Sequence, residues 1–355
     1  MMNGQIVIKH DNILRSASLN EMGVRMSANI RLEALKKILS RFNFTLTALL
    51  IATTWNLKAD QTNSIAMTKS PAASTEKPTP LPLHQIGGSG GVFITLSAYI
   101  VNPPRNNEVM GRPAVGFSYA NLGHGENLEA PTISESPFKR LELSYGWDRF
   151  DLGDLPQALR NAGLANYRQN EVQLHNFNAR LQILEENEFN QKWIPALTFG
   201  AHYKYNDGIS EVNNQVFGLL NSHGITKNHG LDFTLYATKM FTQLHVPILL
   251  DLGGRATEGV WEGLGGFTDR YNFEFEGNIA VFLSHHLALA AEYKQQPTDY
   301  QPIGSLVQKA DDWFTLDAVY IVNKHMTLAA GYAHFGKMLN HEDNGVWGIT
   351  TKWEF

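Results

Sequence analysis

The last nine residues of the chain alternate strictly between two kinds of side chain. Large or β-branched groups occupy every second position from Trp347 to the terminal Phe355, and the positions between them are small or polar. Because successive side chains of a β-strand point to opposite faces of the sheet, this segment predicts a strand with one apolar and one polar face. Such a strand suits a soluble β-protein as well as the wall of a membrane barrel.

An alternating strand that ends the chain on a phenylalanine is similar to the C-terminal signal of bacterial outer-membrane β-barrels. We therefore interpret Trp353 and Phe355 as a membrane-insertion signal, which makes the barrel-assembly machinery an expected partner. Hydrophobic residues make up 43% of the 355 residues, yet no stretch reaches the roughly 18 to 20 continuous apolar residues of a membrane-spanning helix. A helical membrane protein is not indicated.

The N-terminal quarter has the organisation of an exported protein. Basic residues are followed by an apolar run and then by small residues, and this order predicts a signal peptide over 26–66. Residues 1–25 are interpreted as an extension before the true start. A Pro-, Thr- and Ser-rich linker over 67–86 precedes a barrel over 87–355. The absence of cysteine excludes disulfides and thiolate metal sites. The net charge of −5 and the lack of a basic patch argue against nucleic acid as a partner.

Between turn signals, β-branched and aromatic residues predict a dozen strands. Several repeat with period two; around 271–283, for example, aromatic and aliphatic residues share one face while Glu274 and Glu276 share the other. The predicted fold class is all-β, an antiparallel transmembrane β-barrel of about 12 strands of the outer-membrane type. The strands are predicted at about 92–101, 112–121, 138–150, 170–184, 193–205, 230–241, 246–256, 270–283, 286–296, 311–322, 326–336 and 345–355.

The connections between these strands alternate between short turns and longer polar loops, which is typical of outer-membrane barrels. The segment Asn121 to Pro137 is the exception, since it is long where a short turn is expected. Because both chain ends fall on the short-turn side, we predict a protein of the bacterial outer membrane with periplasmic N- and C-termini. Its barrel wall would contact outer-membrane lipid.

Inward-facing polar positions would line the lumen. In a barrel of about 12 strands this lumen could be a narrow channel, or it could be closed by charges that pair across it. The predicted lumen-lining residues are Glu142, Asp148, Arg180, Lys204, Asp232, Asp251, Arg255, Glu274, Glu276, Glu292, Lys294, Asp317, Lys352 and Glu354.

No arrangement of residues indicates catalysis, a metal site or a cofactor site. His285 and His286 follow Ser284 in a predicted turn without a third ligand, and a solvated turn is the simpler interpretation. The polar residues of the last outer loop show no nucleophile and base at a suitable spacing; they are His334, His341, Glu342 and Asp343. Gly253-Gly254 and the glycines of 263–266 lack the lysine of a phosphate-binding loop. Residues 151–165 could form a short amphipathic helix that caps the barrel or packs within its loop.

The segment Leu141–Gly153 resembles part of an uncharacterised family of proteobacterial envelope proteins, domain of unknown function family 3034. The resemblance implies an outer-membrane barrel and supplies no activity or ligand. The glycine-rich start departs from the family pattern, where only Gly90-Gly91-Val92 fits, as does the long N-terminal extension. Further matching segments are Trp193-Ile194-Pro195, 200–207, Asp232-Phe233, Ala237-Thr238-Lys239, Glu292-Tyr293-Lys294 and Asp311-Asp312-Trp313.

These observations predict an outer-membrane barrel without enzymatic activity. Its expected role is a narrow passive pore for small solutes, and the excess of carboxylates predicts a mild preference for cations. One alternative is a closed structural or interaction barrel with no transport activity. Another is a lipid-modifying enzyme with its site at the barrel rim.

Overall fold

The computed structural model describes residues 83–105, 108–304, 307–343 and 345–355, all within one compact unit, Pro78–Phe355. The predicted extension, the signal peptide and the linker up to residue 82 lie outside these residues. Twelve antiparallel strands form a closed barrel, in which the last wall strand, Val346–Glu354, pairs with the first, Ala114–Gly123. The wall strands are β3 (Ala114–Gly123), β4 (Glu126–Phe138), β5 (Leu141–Asp151), β6 (Glu171–Leu184), β7 (Ala196–Asp207), β8 (His229–Phe241), β9 (Ile248–Gly259), β10 (Phe267–Phe282), β11 (Leu287–Lys294), β12 (Trp313–Ile321), β13 (Met326–His334) and β16 (Val346–Glu354).

The two faces of the wall differ in polarity, as the period-two repeat predicts. In β16, Trp347 and Ile349 are about half exposed on the outer face, whereas Lys352 and Glu354 are buried inside. Exposed aromatic and aliphatic side chains recur on the outer face of the other strands, which is the apolar surface that a transmembrane barrel requires. Among the described residues, no helix is long and apolar enough to span a membrane. The predicted fold class is confirmed.

Two strand assignments from the sequence were wrong. Residues 92–101 form no wall strand, while the segment interpreted as the loop Asn121–Pro137 contains β4. The prolines of β4 concealed it, and the ladder between β4 and β5 is indeed interrupted at Ala130 and Pro131, because proline has no N–H to donate. With β4 in place, the connection after β3 is a tight turn at 124–125, and the exceptional long connection disappears.

The barrel has a short-turn end and a long-loop end. At the short-turn end lie the connections 139–140, 185–195, 242–247, 283–286 and 322–325, together with Pro113 and the terminal Phe355, whose N–H donates to the Pro113 carbonyl. The other connections lie at the long-loop end, and the longest are 152–170, 208–228, 295–312 and 335–345.

Three short helices and a hairpin lie in the long loops. The helices are α1 (Leu155–Asn161), α2 (Ile209–Gln215) and α3 (Leu219–Ser222), and the hairpin joins β14 (Gly336–Met338) to β15 (His341–Asp343). Helix α1 lies within the predicted 151–165 segment. The loops fold inward and bury an apolar cluster, here called the cap, over the long-loop end of the lumen. Its loop residues include Leu152, Leu155, Leu159, Tyr167, Ile209, Val212, Val216, Leu220, Ile225, Val260, Trp261, Leu264, Tyr300, Ile303, Phe335, Met338 and Leu339.

Candidate functional site

Residues 83–101 lie inside the barrel, and we call this segment the plug. It begins with a small hairpin, in which β1 (Leu83–His84) pairs with β2 (Gly90–Gly91). All but three of its residues are buried. Its first and last residues, near His84 and Val101, contact wall positions close to the short-turn end. Its middle reaches the cap, where Ile86, Phe93 and Ile94 join the apolar cluster. The plug and the cap together fill the lumen.

Glycine allows the plug to approach the wall closely. A Cβ on Gly88, whose φ is +100°, would lie 2.8 Å from the Tyr145 carbonyl oxygen, and a Cβ on wall residue Gly146 would lie 2.6 Å from the Gly87 carbonyl. Real Cβ atoms essentially never come so close to a backbone atom, so both sides of this contact require glycine. The glycine-rich run 87–91 therefore allows the plug to insert against the wall.

Glu292 on β11 holds the tip of the plug. Its carboxylate accepts hydrogen bonds from three successive backbone N–H groups, those of Phe93 (3.0 Å), Ile94 (3.1 Å) and Thr95 (2.7 Å). The Thr95 hydroxyl donates to the same carboxylate at 2.6 Å. Hydrogen bonds to a charged group are about twice as strong as those between neutral groups. A single wall carboxylate thus satisfies a whole turn of plug backbone.

A second anchor is the ion pair of Glu142 on β5 with Arg180 on β6, whose charged atoms are 3.0 Å apart. The Glu142 carboxylate accepts from the N–H groups of Gly90 (3.1 Å) and Val101 (2.9 Å). The Arg180 guanidinium donates to the carbonyls of Gly90, at 2.9 Å, and of Ser97. The pair therefore binds the plug at Gly90 and again at Ser97 and Val101.

His84 fixes the beginning of the plug between two wall hydroxyls. Its Nδ1 lies 2.8 Å from Thr132 Oγ1 and its Nε2 lies 2.7 Å from Ser134 Oγ. Burial, reinforced by the charge of Lys352, lowers the pKa of the His84 imidazole from 6.5 to about 3. Serine and histidine meet here, but the third partner is a threonine rather than a carboxylate, so the arrangement is not a catalytic triad.

We expect docking of the plug to weaken in acid. Because the pKa of docked His84 is depressed, its contribution is complete above pH 6.5 and is lost as the pH falls toward 3. At about pH 4 the loss is about 3 kcal/mol. The measurement is the rate at which dithiodipyridine modifies a Ser89→Cys thiol in the plug at neutral and acid pH. Adding His84→Gln should reduce the dependence on pH, and an unchanged acid response would contradict the assignment to His84.

A cluster of six charged side chains occupies the lumen beside the plug. Lys204 lies 2.9 Å from Asp232, and Arg255 lies 3.1 Å from Asp232 and 2.7 Å from Glu276. The other members are Lys294, which contacts Glu276 and Glu262, and Glu262 itself. Glu262 belongs to the connection 260–266 rather than to a wall strand, so the period-two repeat of the strands could not reveal it. Three cations here meet three carboxylates, and a fourth carboxylate, that of Glu274, lies within 4.8 Å of those of Glu262 and Glu276.

The fourteen residues predicted to line the lumen are all buried inside the barrel. Glu142, Arg180 and Glu292 bind the plug, and five others belong to the charge cluster. Asp251 accepts from Thr238, whose hydroxyl also accepts from the Ala98 N–H of the plug at 2.6 Å. The remaining five are Asp148, Glu274, Asp317, Lys352 and Glu354. Trp353 and Phe355 are exposed on the outer surface, and their role in insertion stays a prediction.

The cavity beside the plug is small. It is bounded by plug residues Gln85 to Gly87 and by Asp148, His202 and Lys204, and it offers about 10 Å³ to the centre of a water molecule. That volume holds about one water. This cavity is therefore too small to pass a solute.

The residues considered for catalysis do not assemble a nucleophile and base. His286 Nδ1 contacts the Ile321 carbonyl oxygen at 2.7 Å, and the Ser284 hydroxyl accepts from backbone N–H groups of its own turn. His285 is exposed in the same turn, while His334 ends β13 at the other end of the barrel. His341 contacts Asp154, and Glu342 and Asp343 lie on β15 beside it. Gly253 and Gly254 lie in β9 against the rings of Tyr236 and Phe273.

The sequence model of a family described as protein of unknown function (DUF3034) matches residues 82–351. No curated protein matches the chain. Among solved structures it is similar to the Acinetobacter baumannii outer membrane protein Omp33, with 7% identity, a TM-score of 0.40, and coverage of 70% of this chain and 99% of that one. A KdgM porin in complex with disordered oligogalacturonate has 11% identity and a TM-score of 0.42, and the match covers 68% of this chain and 99% of that one. The Salmonella typhi outer membrane phospholipase dimer with bound calcium has 10% identity and a TM-score of 0.35, and the match covers 70% of this chain and 94% of that one. At these values the likenesses carry no information on activity.

Proposed function

The chain belongs to the DUF3034 family of proteins of unknown function, and because no activity comes with that membership, we propose a function from the lumen itself. The protein is an outer-membrane channel that its own plug holds shut. When the plug leaves, the channel passes small solutes with a mild preference for cations. The short-turn end, at which the plug enters and leaves, faces the periplasm.

The observation that carries this proposal is the capture of Phe93, Ile94 and Thr95 by the Glu292 carboxylate. The interaction is polar and involves backbone groups that water could satisfy equally well. A segment held in this way can exchange its wall partners for water when it leaves. The apolar contacts of the plug oppose its release, because Ile86, Phe93 and Ile94 would leave the cap with it at a cost of roughly 25 cal/mol per Å² of exposed surface.

The polarity of the wall behind the plug supports an open state. Ionisable side chains are costly to bury, and well-packed apolar residues often replace a buried ion pair without loss of stability. A barrel that stays permanently shut could therefore be apolar inside. The lumen instead presents nine of the predicted carboxylates and five cations, which are groups that a water-filled channel would solvate. Their negative balance favours cations.

A second candidate is the closed interaction barrel, and the cap favours it. The cap fills the long-loop end of the lumen with apolar side chains, and these could remain in place after the plug has left. In that case the long loops, rather than the lumen, would carry the function.

Single-channel recording in planar bilayers tests the proposal, with a salt gradient to measure selectivity. Refolded full-length chain should be silent most of the time, and its rare openings should be discrete and cation-preferring. A full-length barrel that conducts steadily would contradict a closed resting state, and anion-preferring steps would contradict the expected selectivity.

A further inference from the structure

Three potential metal ligands from three different connections meet at the rim of the long-loop end. His124 lies in the tight turn between β3 and β4, Asp154 immediately precedes α1, and His341 lies on β15. One ligand atom of each residue lies within 4.8 Å of the others. The side chains of His124 and Asp154 are exposed, and His341 is half-buried. The cluster is therefore open to ions from solution and is separate from the plug.

The backbone brings these connections together before any ion is considered. Gly153 has a φ of +56°, and a Cβ there would lie 2.6 Å from the carbonyl oxygen of His124. His124 itself adopts a φ of +48°, which is uncommon for a residue with a side chain. In this conformation its ring stacks on that of His341, with centroids 3.8 Å apart and planes 4° apart. The strained backbone of His124 thus places its imidazole against that of His341.

A conflict among hydrogen bonds at His341 points to a cation. Its Nε2 lies 2.6 Å from Asp154 Oδ1 and 2.8 Å from Asn340 Nδ2. If Nε2 carries a proton, the N–H donates to Asp154, and the Asn340 amide nitrogen then lies against another donor instead of an acceptor. If Nε2 carries no proton, it accepts from Asn340 but directs a lone pair at the carboxylate. A metal ion in place of the proton would accept electron pairs from Nε2 and from Oδ1 together, once these atoms move apart to the roughly 3.3 Å that tetrahedral bonds of about 2.0 Å require.

We infer that His124, Asp154 and His341 bind a divalent transition-metal ion of the zinc class. Imidazole and carboxylate are ligands that suit Zn²⁺, and three protein ligands leave a fourth tetrahedral position for water. Binding needs one imidazole to turn out of the stacked arrangement, and the exposed His124 is free to do so. Asn340, which donates to Asp154 Oδ1 at 3.0 Å, would orient the carboxylate.

The second trio of clustered carboxylates does not make a comparable site. Glu262, Glu274 and Glu276 also lie within ligand distance of one another. However, Lys294 contacts Glu262 and Glu276, and Arg255 contacts Glu276. The protein supplies its own cations there, whereas at the rim no lysine or arginine of the described residues pairs with Asp154.

Calorimetric titration of refolded full-length chain with Zn²⁺ tests the inference, and folding of each variant is monitored by circular dichroism. One ion should bind per chain. His124→Ala, Asp154→Asn and His341→Ala should each weaken binding about tenfold or more. The matched control is His229→Ala, an exposed histidine at the same end of the barrel, which should bind as the unchanged chain does. No saturable binding, or an equal loss in His229→Ala, would overturn the inference.

The outcome does not depend on whether the channel opens. A bound ion would join the β3–β4 turn, the loop before α1 and the β14–β15 hairpin, so Zn²⁺ should also slow cleavage of these loops by added protease. The His341→Ala variant should lose this protection while His229→Ala keeps it. Equal cleavage rates with and without Zn²⁺ in the unchanged chain would contradict a bridging ion.

Discussion

A chain that lacks residues 83–101 should show discrete conductance steps in planar bilayers under conditions in which the full-length chain is silent. The hydrogen bonds of the wall close the barrel without any contribution from the plug, so the deletion should leave the barrel intact. It removes every contact at Glu292 and at the Glu142–Arg180 pair that involves the plug. It also removes Ile86, Phe93 and Ile94 from the cap, which leaves a gap at the long-loop end.

Selectivity follows from the charges that the deletion exposes. Glu142 and Glu292 lose their backbone donors and become hydrated, so the carboxylate excess of the lumen faces the permeating ions. We expect cation preference in a salt gradient. A folded deletion variant that stays silent would show that the cap closes the barrel by itself, and the closed interaction barrel would replace the channel.

Glu292→Gln should give the second largest effect without changing the length of the chain. Glutamine has the same shape, but it loses the charge and turns an amide N–H₂ toward the backbone donors of the plug. At least one of Phe93, Ile94 and Thr95 then loses its acceptor. Losing charge-assisted hydrogen bonds at a buried site costs about 3 kcal/mol, which corresponds to roughly a 100-fold rise in the ratio of open to closed channels.

The open probability in single-channel records measures this change. Glu274→Gln is a matched control, because it is the same exchange at a buried lumen carboxylate on the neighbouring strand β10. In the described part of the chain Glu274 has no hydrogen bond to the plug. Equal open probabilities in the two variants would mean that Glu292 is not an anchor.

The wall was largely predictable from the sequence because each strand has an apolar face outside and a polar face toward the lumen. Glu274 and Glu276 point inward while Phe273 and Phe275 point outward, as period two demands. The C-terminal strand was predictable for the same reason. In β9, by contrast, Leu249 is buried and Leu250 is exposed. Because apolar residues occupy both faces, the sequence did not show which face of β9 lies inside.

The plug was not predictable in this way, and the reason is physical. Residues 92–101 were assigned to the wall because they are rich in β-branched and aromatic residues, yet the plug is buried on all sides and needs no alternation. The usable signal was the glycine run that precedes it, since Gly88 fits only where backbone meets backbone. Strand β4 was missed because Pro131 and Pro137 are turn signals in most sequences.

The rim cluster was only half visible in the sequence. His341 was considered for catalysis, but His124 and Asp154 were not, because the three residues are separated by 30 and 187 positions along the chain. Sequence spacing carries no information on side chains that meet only when a barrel closes. The same limit applies to Glu262, which enters the lumen from a connection.

Disulfide trapping of the plug tests the central claim most directly. Ser89 Oγ in the plug lies 3.0 Å from Ser144 Oγ on β5, both residues are buried, and the chain has no cysteine. The double variant Ser89→Cys, Ser144→Cys should form an intramolecular disulfide in isolated outer membranes, detectable by mass spectrometry, and neither single variant should form an intramolecular disulfide. The oxidised protein should also resist opening until it is reduced. Free thiols in the oxidised double variant, with Ser89→Cys readily labelled by a water-soluble maleimide, would show that residues 83–101 do not occupy the lumen.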